Sequence, residues 1–108
     1  MTKVNIRELN DGFVFECTGH SGFGTKGNDI VCAGISVLCI ALAAEISKLA
    51  GEDILTVEYF HCSDGEMYAE VKFADSEICR FKVLEMLSTV TGGFEVLESM
   101  YPDYITIE

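Results

Sequence analysis

Alternation opens the chain: Val4 and Ile6 are set between polar neighbours, Asn10-Asp11-Gly12 carries a turn signal, and Phe13, Phe15 and Cys17 share one face beyond it. Period-two patterning on either side of such a turn predicts a hairpin, with strands at about 3–9 and 13–18. Glycines at 19, 22, 24 and 27 then interrupt every period, so Gly19 to Asn28 is expected to be a loop with wide backbone freedom. From Ile30 the spacing changes. Val31, Ile35, Leu38, Leu42, Ile46 and Leu49 recur at three- and four-residue steps and form one apolar helix face, with Gly51 expected to stop the helix. Cys32, Ser36, Cys39, Ala43 and Ser47 make a second stripe of small side chains, which predicts close approach by another element and a helix covered on more than one side.

Alternation returns with Leu55, Val57 and Tyr59, breaks at Ser63-Asp64-Gly65, and resumes with Met67, Ala69, Val71 and Phe73, which predicts a second hairpin. Asp75 or Ser76 then caps a further helix, with Glu77 favourably placed in its first turn. Val83, Leu87, Val90, Phe94, Leu97 and Tyr101 keep four-three spacing across Gly92-Gly93, predicting one helix that runs to Pro102. The two glycines cost roughly 2 kcal/mol relative to alanine, so a kink is compatible with the pattern there. Tyr104 to Ile107 suits a short final strand. The resulting order, β-β-α-β-β-α-β, lacks regular βαβ crossovers and predicts an α+β fold, a mainly antiparallel sheet with two long helices in a single domain over residues 1–108.

Composition narrows the function. With 49% hydrophobic residues the chain has material for one core, and disorder is excluded. Eighteen acidic against 7 basic side chains give a net charge of −11, which argues against direct nucleic acid binding and favours a basic partner. The start, MTKVNIRELNDG, has no apolar signal segment, and the uncharged run from Ile30 to Ala44 is shorter than the ~20 residues of a membrane span. Five cysteines at 17, 32, 39, 62 and 79 include no C-x-x-C pair and leave one thiol over in any disulfide scheme, so reduced thiols in a cytoplasmic protein are expected.

The candidate chemistry lies between Gly19 and Ala33. His20 leaves the second strand, Cys32 falls in the first turn of the long helix with Asp29 as its N-cap, and the intervening loop can bring the two together. A helix start stabilises a thiolate through its dipole and unpaired N–H groups, an imidazole supplies the base, and the Cys32 amide is a candidate oxyanion donor. A buried core cysteine beside a loop histidine explains the same residues. Asp29 has two readings, a helix cap alone or a cap that also orients His20. Ser36, one turn beyond Cys32, either bonds within the site or packs as a small residue. A zinc site built from His20, Cys32, His61 and Cys62 is disfavoured, because adjacent strand residues point to opposite faces. A redox switch at Cys32 is a further alternative, with Cys39 about 10 Å along the helix a poor resolving partner.

The joined string GHSGFGTKGNDIVCAGISVL, about a fifth of the chain, resembles the signature of the ribosomal-processing cysteine protease (Prp) family. That signature is Gly-His-Ala, a glycine-containing loop, Gly-x-Asp-Ile-Val-Cys-Ala and Ser-Val-Leu. The resemblance implies His20 as catalytic histidine, Cys32 as nucleophile, Asp29 and Ser36 as supporting residues, and Gly19, Gly22, Gly24 and Gly27 in a mobile substrate loop. It further implies a homodimer that removes an N-terminal extension from a large-subunit ribosomal protein, cutting after a pair of aromatic residues, without metal or cofactor. A strongly basic precursor suits the acidic enzyme, and the heptad-like face of the second helix becomes a candidate dimer seam or a core face. A non-catalytic module binding a basic ribosomal or assembly protein is the alternative. Ser21 stands where the family has alanine, a departure expected to alter loop packing and to touch neither catalytic position.

Overall fold

The computed structural model describes residues 1–108 and has the predicted element order. The first hairpin is β1 (Thr2–Glu8) and β2 (Gly12–Thr18), followed by α1 (Ile30–Gly51). The second is β3 (Leu55–Ser63) and β4 (Glu66–Phe73), followed by α2 (Glu77–Met100) and a short β5 (Ile105–Ile107). The sheet runs β3-β4-β2-β1-β5. All neighbours are antiparallel except β5, which joins β1 in parallel, with Thr2 opposite Ile105 and Val4 opposite Ile107. The β2–β4 pairing makes one sheet of the two hairpins and sets Phe13 opposite Val71, Phe15 opposite Ala69 and Cys17 opposite Met67.

Those six residues form the helix-facing side of the central strands and are buried. Val31, Ile35, Leu42, Ile46 and Leu49 of α1 and Val83, Leu87, Val90 and Phe94 of α2 complete a single apolar cluster with them. Phe94 and Phe15 lie ring to ring at 5.7 Å. The Gly92-Gly93 pair leaves α2 unbroken to Met100. A Cβ on Gly93 would come within 2.6 Å of Leu38 Cδ2 and one on Gly34 within 3.2 Å of Leu97 Cδ2, so the two helices approach through glycines. Helix propensity is given up there for close packing.

One expectation, for β3, needs correction, and three others are sharpened. Gly51 is the last residue of α1, as expected, with Glu52 as C-cap and the left-handed conformation falling on Asp53 at φ 59. Of the two uses open to the heptad-like face of α2, the structure selects core, since Val83, Leu87, Val90 and Phe94 are at most 8% exposed. β3 does not bury alternate residues: only Leu55 is covered, because β3 is the sheet edge and a bulge between Val57 and Tyr59 shifts its register. Finally, α1 is covered by the sheet and by α2, as expected, but its remaining face is open. Val37 and Ile40 stand 66% and 65% exposed beside exposed Ile30, Ala33, Ala41 and Ala44. By length and composition alone α1 is apolar enough to cross a membrane. Its other face nonetheless packs into the core of this fold.

Candidate active site

Two backbone features place His20. At the exit of β2 the Gly19 amide donates to the Gly65 carbonyl at 2.8 Å, tying that exit to the β3–β4 turn. The His20 ring then lies over Gly65, where a Cβ would sit 2.7 Å from Nε2. Gly65 also has φ 77, a left-handed conformation that makes the tight turn and favours glycine. Gly65→Ala is therefore expected to displace the imidazole and strain the turn, lowering any His20-dependent activity by about tenfold or more, which steady-state kinetics would read.

Cys32 is placed by the start of α1. Asp29, the N-cap, accepts from the Cys32 amide through Oδ1 at 2.9 Å, while its backbone carbonyl accepts from Ala33 at 3.0 Å. The Cys32 amide is thus occupied, and the expectation that it points free into an oxyanion site does not hold here. Asp29 Oδ2 takes the Ser21 hydroxyl at 2.6 Å and the Gly24 amide at 3.0 Å, which binds both limbs of the loop to the helix start. Some desolvation works against ionisation of Asp29. The bonds from Ser21, Cys32 and Gly24 outweigh it and hold the carboxyl well below the usual carboxylate range. Asp29 makes no hydrogen bond to His20; its carboxylate is committed to the loop and the cap.

Two cavities meet at these residues. One, of about 250 Å³, runs past Cys62 and Glu66 beneath the β3–β4 hairpin. The other, of about 480 Å³, is walled by Gly22, Gly24 and Gly27 of the loop. His20, Cys32, Ser36 and Asp64 line both, so the structure brings together the predicted histidine, cysteine and serine. Ser36 is exposed on the helix face and contributes no hydrogen bond to Cys32. Lys26 reaches Asp64 across the loop cavity at 3.8 Å, an exposed pair that adds little stability. Phe23 anchors the loop from outside, packing edge-on against Tyr101 at 5.4 Å and Tyr104 at 5.1 Å. His61 lies on the exposed edge strand, bonded to Ser63 at 3.2 Å.

Two site residues escaped the pattern reading. Asp64 was legible only as a turn residue, because nothing local ties the β3–β4 turn to His20. The expectation that Ser21 touches neither catalytic position is overturned. Ser21 is 2% exposed, its amide lies 3.5 Å from Cys32 Sγ, and its hydroxyl lies 3.3 Å from the same sulfur. The thiol is bonded to Ser21, and no hydrogen bond joins it to His20. A lone serine in a glycine-rich loop carries no periodic signal; its presence beside a histidine was the only cue.

With the geometry described, comparison with known proteins gives a consistent result. A family model described as cysteine protease Prp matches residues 1–106. The ribosomal processing cysteine protease Prp of Bacillus subtilis (strain 168) is 27% identical over 110 residues, covering 99% of this chain and 96% of that protein. Among solved structures, an essential ribosomal processing protease Prp from S. aureus with a covalently linked product peptide has a TM-score of 0.74 at 21% identity, covering 100% of this chain and 98% of that one. SMU.848 from Streptococcus mutans has a TM-score of 0.69 at 26% identity, covering 100% and 92%. The S. aureus likeness, at that identity, speaks to the fold.

Proposed function

This chain belongs to the Prp family of cysteine proteases, and on that premise we propose that it removes the N-terminal extension of a large-subunit ribosomal protein by means of Cys32 and His20. The observation that carries the proposal is the seam at which His20 and Cys32 line two cavities at once. A protease must hold the chain on both sides of the scissile bond, and a nucleophile between two cavities meets that need. His20 takes the Cys32 proton, the thiolate attacks the carbonyl, the amine leaves with the proton, and water releases the acyl group as His20 acts again as base. The loop of Gly19, Gly22, Gly24 and Gly27 covers one side of the substrate, while Asp29 holds the loop and helix start in register and Ser36 lines the channel.

The relative from B. subtilis is named for ribosomal processing, and the net charge of −11 here suits a basic precursor. A cytoplasmic location, beside the assembling ribosome, accords with that substrate. We place the homodimer contact on the uncovered α1 stripe of Ile30, Ala33, Val37, Ile40 and Ala44, since the α2 face is occupied by core. Incubation with a precursor carrying the extension, read by intact mass, is expected to yield the shortened protein. The Cys32→Ala variant is expected to leave the precursor whole. Unaltered binding with no product from either protein would favour the non-catalytic module instead.

A further inference from the structure

The Ser21 hydroxyl is buried and fully committed. Its oxygen donates its one proton to Asp29 Oδ2 at 2.6 Å and accepts from the Phe23 amide at 3.2 Å and from the Cys32 thiol at 3.3 Å. A serine hydroxyl has one hydrogen and two lone pairs, so no capacity remains. The short bond to an ionised carboxylate is charge-assisted and is the strongest of the three. Its direction decides what Cys32 is offered: a lone pair, which the hydrogen of a thiol satisfies and a thiolate repels. The Ser21 amide, a long 3.5 Å from Sγ, offsets this only weakly.

From this arrangement we infer that Ser21 is a positioning residue that holds the Cys32 thiol in its protonated form, bonded to Ser21 and uncoupled from His20. The inference rests on the proposed roles of Cys32 and His20 and adds a resting state to them. Activation then requires the S–H to turn about the Cβ–Sγ bond from Ser21 toward His20. The proton passes to the imidazole, leaving a thiolate and an imidazolium, with no other atom exchanged. Ser21 must then face the thiolate with a lone pair or rotate its own proton away from Asp29 toward sulfur. Either course carries a cost, which lowers the share of reactive thiolate at rest.

The charged and titratable groups around Cys32 are Asp29 at the helix start, Cys39 further along α1, Cys17 on β2, His20 and Lys26 from the loop, and Cys62, Asp64 and Glu66 from the second hairpin. Ser21→Ala removes none of these eight groups but takes the donor from Asp29 Oδ2, and a less compensated carboxylate opposes a thiolate, so a lowered midpoint reports the hydroxyl. The test is the pH dependence of iodoacetamide alkylation, followed at Cys32 by peptide mass mapping, in the wild type and in Ser21→Ala. The midpoint is expected to fall by about half to one unit, which makes Cys32 about three- to tenfold faster to alkylate at neutral pH. A midpoint that stays or rises overturns the inference. Should Ser21→Ala fail to fold, the infrared S–H stretch of the wild type decides. A hydrogen-bonded band at neutral pH that vanishes in Cys32→Ala supports the stored thiol, and absence of a Cys32 band overturns it. Alkylation needs no substrate, so it stays readable even if cleavage of the ribosomal precursor fails.

Discussion

Replacing His20 with alanine is expected to lower kcat/KM for the extended precursor by about 10²–10⁴-fold, the range spanned by a positioned general base. The loss should fall on kcat, because the ring lies over Gly65 at the seam of the two cavities and neither cavity is built mainly from it. His20 is exposed, so the thermal midpoint should hardly move, surface substitutions usually staying within about 0.5 kcal/mol. Parallel kinetics and thermal unfolding separate these effects. A fall in activity matched by a fall in stability would assign His20 to structure.

The largest expected stability effect lies far from the chemistry. Phe94→Ala should cost about 3–5 kcal/mol, because Phe94 is 0% exposed and its ring meets Phe15 at the centre of the one core. A domain of this size has only about 5–15 kcal/mol in hand, so the variant should unfold ~10–20 °C lower. The consequence reaches the site indirectly. β2 carries Phe15 and ends at Thr18, just before Gly19 and His20, so loosening its packing loosens the register of the histidine. Thermal unfolding measures the first effect, and activity well below the new midpoint measures the second.

Much of this molecule was legible in its patterning, for definite physical reasons. Alternation and helical spacing report burial of one face against a core, and the elements that pack this way, β2, β4 and the buried faces of α1 and α2, came out where expected. Patterning fails where burial is not what the residue does. β3 alternates like a half-buried strand yet lies at the sheet edge, so the same residues face outward. The helix α1 is covered by the sheet and α2 as its stripes predict, yet Val37 and Ile40 on its remaining face are exposed, which the small stripe does not foretell. Gly93 looked like a weak point and is where Leu38 fits.

At the site, the cap Asp29 and the placing of His20 and Cys32 around one cleft followed from local rules about helix starts and loops. Asp29 to Cys32 is a three-residue relation, and local rules reach that far. Ser21 and Asp64 did not follow, since their roles depend on contacts that folding alone creates. Ser21 meets Cys32 across eleven positions of chain, and Gly65 meets His20 across two hairpins.

The central claim is that Cys32 is the nucleophile, and an acid-quenched mixture of enzyme and extended precursor tests it most directly. The account predicts a protein species heavier by the acyl fragment, mapped by peptide mass to Cys32 and absent from Cys32→Ala, which also leaves the precursor uncut. Cleavage that persists in Cys32→Ala with no such adduct would contradict it.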